Sequence, residues 1–154
     1  MLVVDDNKAA ADNLSRLVTL WRNDVRTAYD GAAALEMAVI LKPHVVLLDL
    51  SMPKMDGCQM ARRLRRQAAF ADSLLIAITG WTDQAHRLLC AEAGFDHYLI
   101  KPIEPARLKS LLLRERRRLV WSAEEVEKAN GAGGAVITAA KKAAFSRADS
   151  VVGP

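Results

Sequence analysis

The 154-residue chain has two cysteines, three histidines and few aromatics, and these shortages remove whole classes of function. Cys58 and Cys90 stand far apart without CxxC spacing, both among helix-patterned residues. They read as reduced packing thiols rather than a disulfide or a metal site. His44, His86 and His97 form no HxxxH or HxH pair and read as surface or core residues. No P-loop glycine pattern occurs, so a nucleotide site of that kind is not expected. No apolar run approaches the ~20 residues of a membrane span. The opening MLVVDDN lacks the basic region and long apolar stretch of a signal peptide. A cytoplasmic protein without a membrane partner is the resulting expectation.

A strong charge of one sign is also missing from most of the chain. Residues 1–113 hold 14 Lys+Arg against 13 Asp+Glu, and residues 114–154 hold 8 against 5, so the net +4 divides into +1 and +3. The basic character belongs mainly to the C-terminal part. About half the residues are apolar and a quarter charged. At this length that describes one globular domain with a real core.

The most informative stretch is VVLLDLSMPKMDG, residues 45–57. Its apolar run Val45, Val46, Leu47, Leu48 suits a strand buried on both faces of a parallel sheet. Asp49 then lies at the strand's carboxyl end, where open α/β sheets bind their ligands. Pro53 and Asp56-Gly57 break the strand and start a new element.

The same unit recurs along the chain. Leu2, Val3 and Val4 form a strand that runs into Asp5 and Asp6. Ala10, Leu14, Leu17, Val18 and Trp21 predict an amphipathic helix over residues 8–21, with Asn7 as its cap. A second strand over 25–28 ends at Asp30-Gly31, and an alanine-rich helix over 32–41 is stopped by Pro43. Asp56 caps a third helix in which Met60, Ala61 and Leu64 face inward, while Arg62, Arg63, Arg65 and Arg66 form a mostly solvated face. The apolar strand 74–78 ends at Thr79-Gly80. Thr82 and Asp83 start a helix to about residue 93, stopped by Gly94. The last strand, 97–100, ends at Lys101-Pro102, and residues 105 to about 116 form an amphipathic helix through Leu108, Leu111 and Leu112. Five strand-helix repeats imply an α/β fold, a parallel sheet covered on both faces.

Four strands therefore end in chemically capable residues: Asp5 and Asp6, Asp49, Thr79, and Lys101. At equivalent ends of one parallel sheet they converge on one rim. If the strand order is the doubly wound 2-1-3-4-5, strands 1 and 3 are neighbours and bring Asp5, Asp6 and Asp49 together. Two carboxylates ~4 Å apart repel by ~4 kcal/mol at an effective dielectric near 20. Such a cluster takes up protons or holds a cation. Few hard oxygen ligands, with room for water and a phosphate, favour Mg²⁺ over a caged Ca²⁺. Metal and Lys101 would neutralise a transferring phosphoryl group, the Thr79 hydroxyl would donate to it, and Asp49 is the natural nucleophile, forming an aspartyl phosphate.

These residues resemble the receiver domains of two-component response regulators. The likeness covers residues 2 to about 116 and rests on the ordered set Asp5-Asp6, Asp49 followed by MPKMDG, Thr79-Gly80 and Lys101-Pro102. It implies a flavodoxin-like (βα)5 fold, a doubly wound parallel sheet of order 2-1-3-4-5. It also implies phosphorylation of Asp49 by a phosphohistidine of a sensor histidine kinase or histidine phosphotransfer protein, which switches a downstream protein partner. By the same resemblance Asp6, Asp49 and the Ser51 backbone carbonyl would ligate Mg²⁺ directly, and Asp5 through water. Lys101 would pair with the phosphoryl group or Asp49 across a cis bond to Pro102. Thr79 would move toward the phosphoryl group, and Tyr98 would turn inward as an aromatic switch. Trp81 departs from the pattern. It borders the path of attacking water, so its indole bears on dephosphorylation rate or partner choice.

The receiver is expected over residues 1–117, followed by an extension, 118–154, with a helical start and a flexible remainder and no recognisable output domain. The abrupt start at strand 1 points to a fragment or trimmed chain, for example from a hybrid sensor kinase. A phosphorylation-controlled interaction module, not an enzyme acting on other molecules, is the leading expectation. The alternatives are a DNA-binding regulator using the basic tail, although nucleic acid is not an expected partner, and a degenerate receiver acting as a constitutive binding module. A metal-dependent phosphatase is opposed by the want of a readable substrate pocket. Many receivers form a homodimer through helix 4, strand 5 and helix 5. Leu88, Leu89 and Leu108 would serve that face or fill the core, and the core is the expectation.

Overall fold

Five short segments pair into one parallel sheet: β1 (Leu2–Val4), β2 (Arg26–Ala28), β3 (Val45–Asp49), β4 (Leu74–Thr79) and β5 (His97–Ile100), in the order β2-β1-β3-β4-β5. The structure is a computed structural model, and it describes residues 1–116. The expected doubly wound order is the one found. The expected extension over 118–154 lies outside the described residues.

Strand alternation divides the core. Leu2, Val4, Val46, Leu48, Leu75 and Ala77 belong to one cluster, with Ala34, Ala38, Met60, Ala61, Leu64, Cys90 and Ala93 of three helices. These are α2 (Gly31–Leu41), α3 (Gly57–Arg65) and α4 (Gln84–Ala93), which cover that face. The intervening Val3, Leu47 and Ile76 are also fully buried and point to the opposite face. There α1 (Lys8–Leu20) buries Ala11 and Val18. The chain divides into two units, Met1–Lys109 and Ser110–Pro154, and the sheet lies in the first. Residues 105–116 are helical (α5); within the first unit Leu108 is buried and the Lys109 ammonium lies 5.8 Å from the Trp21 ring centroid.

Helices α1 to α4 each start on a side-chain cap. Asn7, Asp30, Asp56 and Asp83 accept from the backbone N–H of Ala10, Ala33, Gln59 and His86. This satisfies donors that would otherwise be orphaned at the helix start. Gly94 closes α4 in the left-handed region at φ 93°. The end of α2 is the expected one: the helix stops at Leu41, and Lys42, just before Pro43, leaves it in the left-handed region at φ 43°. A 3₁₀ turn, Ala68–Phe70, was not legible in the pattern, and it seats Phe70 in the core.

Arg65 does not share the solvated face expected for the α3 arginines. Arg62, Arg63 and Arg66 are exposed, but Arg65 is half-buried. Its guanidinium donates to the carbonyls of Gly94 (2.8 Å), Phe70 (2.9 Å) and Ser73 (2.7 Å), and to Asp96 Oδ2 (2.6 Å). Asp96 Oδ2 also accepts from the Leu75 N–H at 2.8 Å. One planar fork thus ties the end of α3 to the entries of β4 and β5, which a flexible lysine cannot reproduce. Arg65→Ala is expected to lower stability by about 3 kcal/mol, since it strands several carbonyls and a carboxylate. Arg65→Lys should recover less than half of that. Urea unfolding measures both, and a loss under about 1 kcal/mol for Arg65→Ala would make the contacts incidental.

Candidate functional site

The register of the sheet sets the height of each strand end. Val4 pairs with Leu48, so Asp5 and Asp49 stand level on neighbouring strands. Asp49 pairs with Ile78 and Thr79 with Ile100, so Thr79 and Lys101 each extend the rim beyond them. All four predicted positions meet at this edge.

One carboxylate oxygen from each of Asp5, Asp6 and Asp49 lies within 4.8 Å of the others. Asp5 and Asp49 are buried, at 6% and 3% exposure, while Asp6 is exposed. The Lys101 ammonium bridges the two buried acids, 2.9 Å from Asp5 Oδ2 and 2.7 Å from Asp49 Oδ1. Backbone amides hold the remaining oxygens: Asn7 N–H donates to Asp5 Oδ1 and Ser51 N–H to Asp49 Oδ2, both at 2.9 Å. Burial pushes the Asp49 carboxyl above its ordinary value, with Lys101 opposing and Asp5 adding to the rise. Burial pulls the Lys101 ammonium down, but its bonds to Asp49 and Asp5 outweigh that and raise it. Three carboxylates against one ammonium leave a charge of −2 when all are ionised. The donor set is all oxygen, and the imbalance suits a divalent cation.

The other wall is built from the segment after β4. Thr79 is fully buried, and its hydroxyl accepts from the Trp81 N–H at 3.1 Å. The Trp81 carbonyl accepts from the Tyr98 hydroxyl. Burial raises the Tyr98 phenol, while the nearby Thr79 hydroxyl works against that. Tyr98 is half-buried against the core, with the Arg87 guanidinium 5.6 Å from its ring centroid. The Trp81 indole is 40% exposed and rests on the His86 ring, 4.1 Å between centroids.

Gly57 does more in the site than break the strand and start the next element. A Cβ there would stand 2.4 Å from the Asp49 carbonyl oxygen and 2.9 Å from the Leu50 Cα. Only a bare backbone lets α3 begin against the end of β3, where the Gly57 N–H donates to the Leu50 carbonyl at 3.1 Å. The Lys101-Pro102 peptide is cis, as the resemblance implied. Two of three leucines depart from the expected core placement: Leu88 and Leu89 are exposed at 59% and 47%, whereas Leu108 is buried. The reason is that α4 turns only Cys90 and Ala93 fully inward.

A five-stranded parallel sheet of this order, with an acidic trio and a lysine on its carboxyl rim, defines a flavodoxin-like domain with an acidic edge of oxygen donors. Residues 1–113 match the response regulator receiver domain, and the chain belongs to that family. It is 34% identical over 121 residues to the DNA-binding dual master transcriptional regulator RpaA of Synechocystis, covering 76% of this chain and 50% of that protein. It is also 34% identical over 120 residues to response regulator MprA of Mycobacterium ulcerans, covering 75% and 51%. The chain thus spans about half the length of the curated relatives it matches. Among solved structures, the Vibrio cholerae chemotaxis protein CheY4 superposes with a TM-score of 0.70 at 27% identity, covering 73% of this chain and 94% of that one. The receiver domain of a Syntrophus aciditrophicus signal transduction histidine kinase gives 0.68 at 25%, covering 73% and 86%. The protein is thus a receiver domain of two-component signalling. Among the described residues no helix is long and apolar enough to cross a membrane.

The raised Asp49 carboxyl has a consequence for stability. A carboxyl whose folded-state value lies above its unfolded one disfavours folding at every pH above the folded value, and the penalty vanishes as pH falls below the unfolded 3.8. Asp49→Asn should therefore raise the stability of the metal-free protein at pH 7 by about 1 kcal/mol and give no gain near pH 3. Urea unfolding at both pH values measures this. A variant less stable at pH 7 would mean that the ion pair with Lys101 outweighs burial.

Proposed function

We propose that this domain accepts a phosphoryl group on Asp49 from a phosphohistidine of a sensor histidine kinase or histidine phosphotransfer protein. The observation that carries this reading is the Lys101 ammonium bridging Asp5 and Asp49 inside an acidic trio at the rim. An Asp49 carboxylate oxygen attacks phosphorus, the P–N bond breaks, and its electron pair leaves with the imidazole. Lys101, already at bonding distance, then pairs with a phosphoryl oxygen. Asp5, Asp6, Asp49 and the Ser51 carbonyl are the groups that would hold Mg²⁺, which would supply positive charge opposite the phosphoryl oxygens. The buried Thr79 hydroxyl turns from the Trp81 amide to the phosphoryl group, and Tyr98 follows the released segment inward. The changed surface then selects the downstream partner. Aspartyl phosphate formation and loss on this one residue is the whole of the chemistry.

A second reading, that the domain controls DNA binding in a longer regulator, is favoured by the DNA-binding relative. DNA affinity that falls steeply with salt and responds to phosphorylation would support it.

Intact mass after incubation with acetyl phosphate tests the first reading. Wild type with Mg²⁺ should gain one phosphoryl group, and chelator or Asp49→Asn should abolish it. Folded wild type that gains nothing under any condition would make this a degenerate receiver, a constitutive binding module. Trp81→Ala should change the lifetime of the adduct severalfold. An unchanged lifetime with unchanged partner binding would reduce the indole to loop packing.

A further inference from the structure

Cys58 and Cys90 are 32 positions apart in sequence, but the fold brings them together. Cys58 is the second residue of α3, half-buried beside the helix start, and Cys90 lies on the inward face of α4 at 2% exposure. The two helices pack directly, and Cys58 rests on the core cluster that contains Cys90. The two thiols are near enough that each shifts the other's ionisation.

From this juxtaposition we propose that Cys58 and Cys90 form a reversible intramolecular disulfide between α3 and α4. The two thiols have unequal parts. Cys58 is partly accessible, and the neighbouring Cys90 thiol draws it down to about 7, with Arg62 and His86 assisting and burial and Asp56 opposing. It also sits on the positive end of a helix. Cys90 is buried and held protonated, its thiol pushed up by the neighbouring Cys58 and by burial. Cys58 thiolate therefore attacks a small-molecule disulfide, forming a mixed disulfide and releasing one thiol. Cys90 then loses its proton and attacks the Cys58 sulfur, closing the bridge and releasing the second thiol. Two electrons pass from the protein to the small disulfide, and a dithiol reductant reverses the exchange.

The bridge would join the first turn of α3, which follows the Asp49 segment, to α4, which follows the Thr79 segment. Oxidation thereby restrains both walls of the rim and alters the lifetime of the aspartyl phosphate; this half rests on the phosphoryl reading above.

The test uses the full chain, treated with oxidised glutathione or dithiothreitol, alkylated under denaturing conditions and weighed intact. The bridge predicts loss of two hydrogens and of both alkylatable thiols, Cys90→Ser arrested as a glutathione adduct on Cys58, and Cys58→Ser left reduced. Two alkylatable thiols after oxidation, or a persistent adduct on wild type, overturn it. Adduct lifetimes after acetyl phosphate should differ severalfold between oxidised and reduced wild type and not at all in the double serine variant. Equal lifetimes overturn the regulatory half. A protein that takes no phosphoryl group in either state removes that half with the reading beneath it, while the thiol count still decides the bridge.

Discussion

The structure depends on holding like charges together at the edge of a buried sheet. Asp5 and Asp49 stand level on adjacent strands, nearly out of solvent, and their repulsion is opposed by the Lys101 ammonium from two strands away. That lysine reaches them only because β4 separates β3 from β5 by one strand's width and because residues 79 and 100 pair. The order of the sheet and the charge balance of its rim are thus one constraint. A sheet wound in another order would leave two buried carboxylates without a counter-ion, at a cost of several kcal/mol.

That constraint explains why so much could be read from the chain. Each polar rim residue follows directly on an apolar run, so the strand ends announce themselves. Val4 is followed by Asp5, Leu48 by Asp49, and Ile100 by Lys101. The caps Asn7, Asp30, Asp56 and Asp83 also act locally, on amides three residues ahead. Local chemistry of this kind leaves a local mark.

What escaped reading acts at long range through backbone. Arg65 looks like its arginine neighbours because its partners are carbonyls of Phe70, Ser73 and Gly94, which any residue carries. Gly57 resembles an ordinary turn glycine, since the oxygen that excludes a side chain there belongs to Asp49, eight residues earlier. Leu88 and Leu89 misled for a different reason. Apolar spacing predicts a buried face only where a helix has enough large inward residues, and α4 buries just a thiol and a methyl.

The contrast between α3 and α4 gives the rim unequal mechanical compliance. On one side, α3 starts in direct backbone contact with β3, and its far end is clamped by Arg65. On the other, α4 shares that clamp at its Gly94 end, but it buries only two small side chains and its start follows Gly80, whose surroundings are open. A force generated at the carboxylates meets a stiff wall and a soft one, and displacement follows the soft one. Displacement at the rim is therefore directional, favoured toward the start of α4 by the scarcity of packing there.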